Sequence, residues 1–158
     1  NGTTGISGAA DTIITLTRAN RNSDETKMSI TGRDVQERTL IIQMDWSNFR
    51  WIMLGEEHEV EKERDELEFH RDPIVKTILA RLDEAEDLSE SGEVCWAATS
   101  QELMDEVQRL YGATYESPAA VGRQVKKLEP KLDAIEGIVY EYRRTKTSRQ
   151  HVFKREII

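Results

Sequence analysis

Hydrophobic and polar positions alternate with a period of two in four runs near the start of the chain. Thr12–Arg18 alternates β-branched and apolar residues, and Lys27–Thr31 sets Met28 and Ile30 on one face. Arg38–Asp45 sets Leu40, Ile42 and Met44 against Thr39, Ile41 and Gln43, and Phe49–Leu54 closes the series. This period predicts half-buried strands. The linkers Asn20-Arg21-Asn22-Ser23-Asp24, Gly32-Arg33-Asp34 and Trp46-Ser47-Asn48 carry turn residues. Linkers this short join antiparallel neighbours, so a meander is expected. Such a sheet needs cover on one face, and nothing within residues 1–55 supplies it. The expectation is a strand-rich remnant of a larger domain, preceded by a Gly-rich loop over residues 1–9.

The period lengthens after residue 55. Residues 56–72 hold nine acids against three bases, with neither Gly nor Pro, which predicts a solvated linker helix. Its one apolar stripe is Val60, Leu67 and Ile74. Asp72 and Pro73 open a second helix with Ile74, Val75, Ile78, Leu79 and Leu82 inward. Glu84–Gly92 reads as a loop, and Glu93–Ala97 as a short strand with Cys95 as a small buried side chain. Thr99 and Glu102 form a capping box for a helix with Leu103, Met104, Val107, Leu110 and Tyr111 inward, and Gly112 ends it. Ser117 and Pro118 start the next helix. There Val121, Val125 and Leu128 face inward, and Arg123, Gln124, Lys126 and Lys127 face out. Pro130 is expected to interrupt it, leaving Lys131–Glu136 as a separate turn or short helix. Ile138–Arg144 and Arg149–Glu156 alternate as two strands of a hairpin around Thr145-Lys146-Thr147-Ser148.

Charge changes the picture. The chain of 158 residues carries −8, yet residues 120–158 hold ten Lys/Arg against five acids, a balance of +5. Such asymmetry points to a polyanion partner for the basic end. No apolar run approaches the roughly 20 residues of a membrane span, and no secretory signal pattern is present. One cysteine excludes an internal disulfide and suits a reducing, cytoplasmic setting.

The order from residue 73 is that of a winged helix-turn-helix. In such a module the second helix of the pair enters the major groove and the hairpin lies along the backbone. The expected DNA contacts are Arg123, Gln124, Lys126 and Lys127 from the helix, Lys131 just beyond Pro130, and Arg143, Arg144, Lys146 and Arg149 from the hairpin. Arg and Gln suit base edges, and Lys suits phosphates. One alternative is a small α+β core whose solvated face happens to be basic; another is a winged-helix module that docks protein rather than DNA. No metal site is expected, because His58 and His70 lie twelve residues apart. His151 is expected to be a strand residue near phosphate.

Residues 2–14, Gly-Thr-Thr-Gly-Ile-Ser-Gly-Ala-Ala-Asp-Thr-Ile-Ile, resemble the late core of RecA-fold ATPases of the plasmid and phage RepA-like helicase group. Ile30-Thr31-Gly32-Arg33-Asp34-Val35, the strand Arg38–Asp45 and Trp51-Ile52-Met53-Leu54-Gly55 follow in the same order. Val121-Gly122-Arg123, Lys126-Lys127-Leu128 and the basic hairpin resemble the winged-helix tails of such proteins. The resemblance implies the C-terminal part of an ATP-dependent DNA helicase, whose parent would use ATP and Mg. This chain has no Gly-x-x-x-x-Gly-Lys-Ser/Thr, so it would need no cofactor of its own and would not hydrolyse ATP alone. The loop Gly2–Gly8 would lie near a DNA-facing channel. Arg33 would be an arginine finger for a neighbouring subunit's γ-phosphate, with Lys27 a weaker candidate at the same edge. A head-to-tail contact would close copies into a ring. The alternative for Arg33 is an ordinary turn arginine paired with Asp34 or a nearby acid.

The resulting expectation is an α+β chain in three parts. Residues 1–55 are the incomplete RecA-like strands, 56–72 the acidic linker helix and 73–158 the winged-helix domain. The alternative function is a stand-alone winged-helix regulator or adaptor that dimerises through residues 1–55.

Overall fold

The computed structural model describes residues 11–18, 21–87, 92–144 and 148–156. The chain is α+β, with two antiparallel sheets and four helices among those residues. It divides into two compact units, Asn1–Asp65 and Glu66–Ile158.

In the first unit β1 (Thr12–Arg18), β2 (Glu25–Gly32), β3 (Arg38–Asp45) and β4 (Arg50–Glu56) form one meander in the order β1-β2-β3-β4. Ile14 stands opposite Ile30, Met28 opposite Leu40 and Ile42 opposite Met53. One face therefore carries a band of apolar side chains, with Arg18, Thr26 and Arg38 also on it. Leu40 and Ile42 on it are buried, while Ile14, Leu16, Trp51 and Met53 stay exposed. The opposite face carries Glu25, Lys27 and Ile41. There α1 (Glu57–Arg71) begins: Glu57 and Glu61 hold Lys27, Arg64 holds Glu25, and Val60 is buried close to Gly55. Cover for that face thus comes from just beyond residue 55. Gly55 has a φ of 154°, which strains any residue with a side chain, and a Cβ there would sit 3.2 Å from the Val60 side chain. Beside it, a register shift between Ile41 and Ile42 marks a bulge.

The linker-helix stripe needs correcting. Val60 is buried, but Leu67 is 57% exposed and Phe69 is buried in its place. Asp72 ends α1, so Ile74 belongs to the next helix and the seven-residue spacing does not describe one face.

The second unit runs α2 (Pro73–Asp87), β5 (Glu93–Thr99), α3 (Ser100–Tyr111), α4 (Pro118–Glu136), β6 (Val139–Arg144) and β7 (Arg149–Glu156), with sheet order β5-β7-β6. Asp72 accepts from the Ile74 N–H at 2.8 Å and starts α2, whose residues Ile74, Val75, Ile78 and Leu82 are fully buried. The helix continues through Asp87, past the expected loop start at Glu84. Thr99 and Glu102 form the reciprocal capping box of α3, and Gly112 closes that helix with a φ of 66°. Tyr111, expected inward, is exposed and reaches the Lys76 carbonyl at 3.3 Å.

Pro130 does not interrupt α4, which is continuous from Pro118 to Glu136. A proline inside a helix costs on the order of 3 kcal/mol. Continuing the helix buries Leu132 and Ile138 completely, at roughly 1.5–3 kcal/mol each, which offsets that cost. Cys95 is exposed rather than buried, because the inward positions of β5 are Val94 and Ala98. Phe153 of the central strand β7 sits between Trp96, stacked at 5.7 Å, and Tyr140 at 5.5 Å. Among the described residues no helix is long and apolar enough to cross a membrane.

Candidate functional site

β6 and β7 pair so that Tyr142 stands opposite His151 and Tyr140 opposite Phe153. The inward face of the sheet therefore runs from the aromatic core outward to Tyr142. Close to this end, α4 carries Gly122, where a Cβ would lie 3.3 Å from the Ser100 hydroxyl and 3.7 Å from the His151 ring. Even a methyl group there would sit tight against the Ser100 hydroxyl. Between α4, the start of α3 and the hairpin lies a cleft of about 1070 Å³.

Four cationic side chains line this cleft: Arg123 and Lys126 from α4, Arg144 from β6 and Arg149 from β7. Glu129 is the acid among the lining residues. None of the four cations forms an ion pair among the described residues. Four unpaired positive groups around one concavity favour a ligand with several negative charges.

The other expected contacts fall elsewhere. Gln124 is turned inward and donates to Asp72 at 2.9 Å. Arg143 is held by Glu141 at 2.7 Å, and Glu141 also binds Lys154 at 2.8 Å. These two cations share one carboxylate, whose pKa they lower. Arg155 is engaged by Asp83 and Glu86. Lys127 is exposed on α4 outside the cleft, and Lys131 is partly buried. Lys146 and the loop Gly2–Gly8 lie outside the described residues.

In the first unit Arg33 is exposed and its guanidinium has no partner among the described residues, while its backbone N–H donates to Asp11 at 3.0 Å. Lys27, the weaker candidate, is occupied by Glu57 and Glu61.

Sequence reasoning missed the floor of the cleft. His151 is 2% exposed, with Nε2 2.8 Å from the Ser100 hydroxyl and Nδ1 2.8 Å from the Tyr140 hydroxyl. Burial lowers the imidazole pKa, so the ring is neutral at neutral pH. Burial first, then Glu129, pushes the Tyr140 phenol up to about 12, so it keeps its proton. One hydroxyl then donates to the ring and the other accepts from it, and both nitrogens are satisfied. His151 is thus a strand residue that ties α3 to the hairpin. The period-two alternation of Tyr140 and Tyr142 was the legible signal; the Ser100 partner, 51 residues from His151 in sequence, was not.

Two histidines make stability depend on pH in opposite senses. The folded His151 resists protonation, whereas the unfolded imidazole titrates near 6.5. Its contribution is present above 6.5 and lost as pH falls toward the lower folded value. His70 bonds Glu136 at 2.6 Å, which raises its pKa. Its contribution is complete below 6.5 and lost as pH rises through the folded value. Urea midpoints between pH 5 and 8 should show His151→Gln losing less than wild type on acidification, and His70→Asn losing less on alkalinisation. Variant profiles parallel to wild type would refute both assignments.

Comparison of the chain with known protein families, curated proteins and solved structures finds no match, so the functional reading rests on this geometry.

Proposed function

We propose that residues 66–158 are a winged helix-turn-helix module that binds DNA through the cleft between α4 and the β6–β7 hairpin. Two features support the architecture. The order helix, strand, helix, helix, strand, strand is that of the motif, and the two strands of the wing pair directly. The single observation that carries the binding is the convergence of Arg123, Lys126, Arg144 and Arg149 on one cleft, with no carboxylate partner among the described residues. A chain with a net charge of −8 attracts a polyanion only where its cations are gathered and unpaired. Gln124 is excluded from base reading by its bond to Asp72. That leaves Arg123 as the helix side chain in the cleft suited to base edges, so phosphate contacts dominate and sequence preference is weak.

The test is a salt titration of binding to a mixed-sequence duplex. Four phosphate contacts give a slope of log K against log salt of about −3.6. A slope near zero, or no binding at low salt, would refute the reading.

The wider proposal, that the chain belongs to a RecA-fold replication ATPase working as an assembly of copies, rests on the resemblance of residues 2–14 and 30–55. One observation favours it over an ordinary turn arginine: Arg33 is not paired with Asp34 or another acid among the described residues, which suits a group presented to a neighbouring subunit.

A further inference from the structure

We infer that the cleft accepts an unpaired strand, with one base stacked on Tyr142. This rests on the DNA-binding reading above and deepens it. Tyr142 is 54% exposed, although it lies on the inward face of β6, in line with Tyr140. Its ring packs on His151, at 5.4 Å between centroids, and lines the cleft beside Arg144 and Arg149. The support beneath it is rigid, because His151 is fixed at both nitrogens and stacked on Tyr140 at 5.8 Å. An aromatic ring held from below and open above is a stacking platform.

Size and charge point the same way. Sites for one drug-sized molecule run to roughly 300–1,000 Å³. A cleft of about 1070 Å³ exceeds the needs of a lone phosphate and admits a base with its sugar and flanking phosphates. Arg123 and Lys126 reach it from α4, Arg144 and Arg149 from the hairpin, so cations stand on both sides of the aromatic ring's cleft. A cationic groove combined with an aromatic platform is the chemistry of single-strand binding, tolerant of sequence because every base has a π-face. A base-paired duplex keeps its bases stacked on one another, so it would meet the rim cations without engaging the ring.

The experiment uses an oligothymidylate carrying 5-iododeoxyuridine, which photocross-links to an aromatic ring stacked on it. The expected result is a cross-link mapped by mass spectrometry to Tyr142. Tyr142→Leu should weaken oligothymidylate binding about 5- to 100-fold, Tyr142→Trp should retain it, and blunt-duplex affinity should be unchanged in both. Oligothymidylate binding that leaves Tyr142 unlinked and is indifferent to Tyr142→Leu would overturn the stacking proposal. Duplex binding without single-strand binding would also overturn it while leaving the DNA-binding module standing. Absence of binding to either form would remove both.

Discussion

Phe153→Ala destabilises residues 66–158 by about 3–5 kcal/mol, the range for deleting a buried aromatic ring. Phe153 is fully buried at the centre of β7, the middle strand of its sheet. Its ring contacts Trp96 on one neighbouring strand and Tyr140 on the other. Removing it leaves a cavity among fixed neighbours, and two aromatic partners lose a contact at once. Domains of this size are stable by only about 5–15 kcal/mol, so the change consumes a large part of the total. The measurement is a urea midpoint followed by near-ultraviolet circular dichroism, where the stacked Trp96 reports. His151 lies two residues away on the same face, so loosening β7 also disturbs the floor of the cleft. A midpoint within error of wild type would show that Phe153 is not central to the core.

The second large effect leaves folding alone. Replacing Arg123, Lys126, Arg144 and Arg149 together with Ala should abolish the steep salt dependence of duplex binding, removing about 3.6 from the slope. Across a fourfold rise in salt, wild type should lose on the order of 100-fold in affinity and the variant far less. None of these side chains forms an ion pair among the described residues, so the thermal midpoint should stay within a few degrees of wild type. Single variants separate neighbours in sequence. Arg144→Ala should flatten the slope by about one contact, whereas Arg143→Ala should change it little, because Arg143 does not line the cleft and is held by Glu141. Equal effects from Arg143→Ala and Arg144→Ala would refute the assignment of contacts to the cleft.

The contrast between Arg143 and Arg144 shows where sequence reading stops. Both are arginines at the end of one strand, and alternation places them on opposite faces. Which face holds Glu141 and Lys154, and which opens onto α4, follows from pairing with β7. Gln124 makes the same point. It lies between exposed Arg123 and buried Val125, and Asp72, 52 residues earlier, draws its amide inward. Distant partners of this kind leave no trace in local periodicity.

Local chemistry was far more legible. The Thr99–Glu102 capping box, the Ser117–Pro118 start, the glycine stops at 112 and 137 and the four-strand meander depend on residues close together in sequence. Pro130 is the exception that proves a limit: its local penalty is real, but burial of Leu132 and Ile138 outweighs it. The outward exposure of Cys95 is set in the same way by which side of β5 meets the helices.

Sequence alone determined the elements, their order and the reversal of charge toward the end of the chain, because caps, turns and alternation act over a few residues. Only the tertiary structure decided which cations stay unpaired among the described residues, that Tyr142 stands open beside a Ser100–His151–Tyr140 chain whose histidine is buried, and that these share one cleft. Ion pairing, burial and cavity shape are relations between distant segments, and the packing of α4 against the sheet sets them.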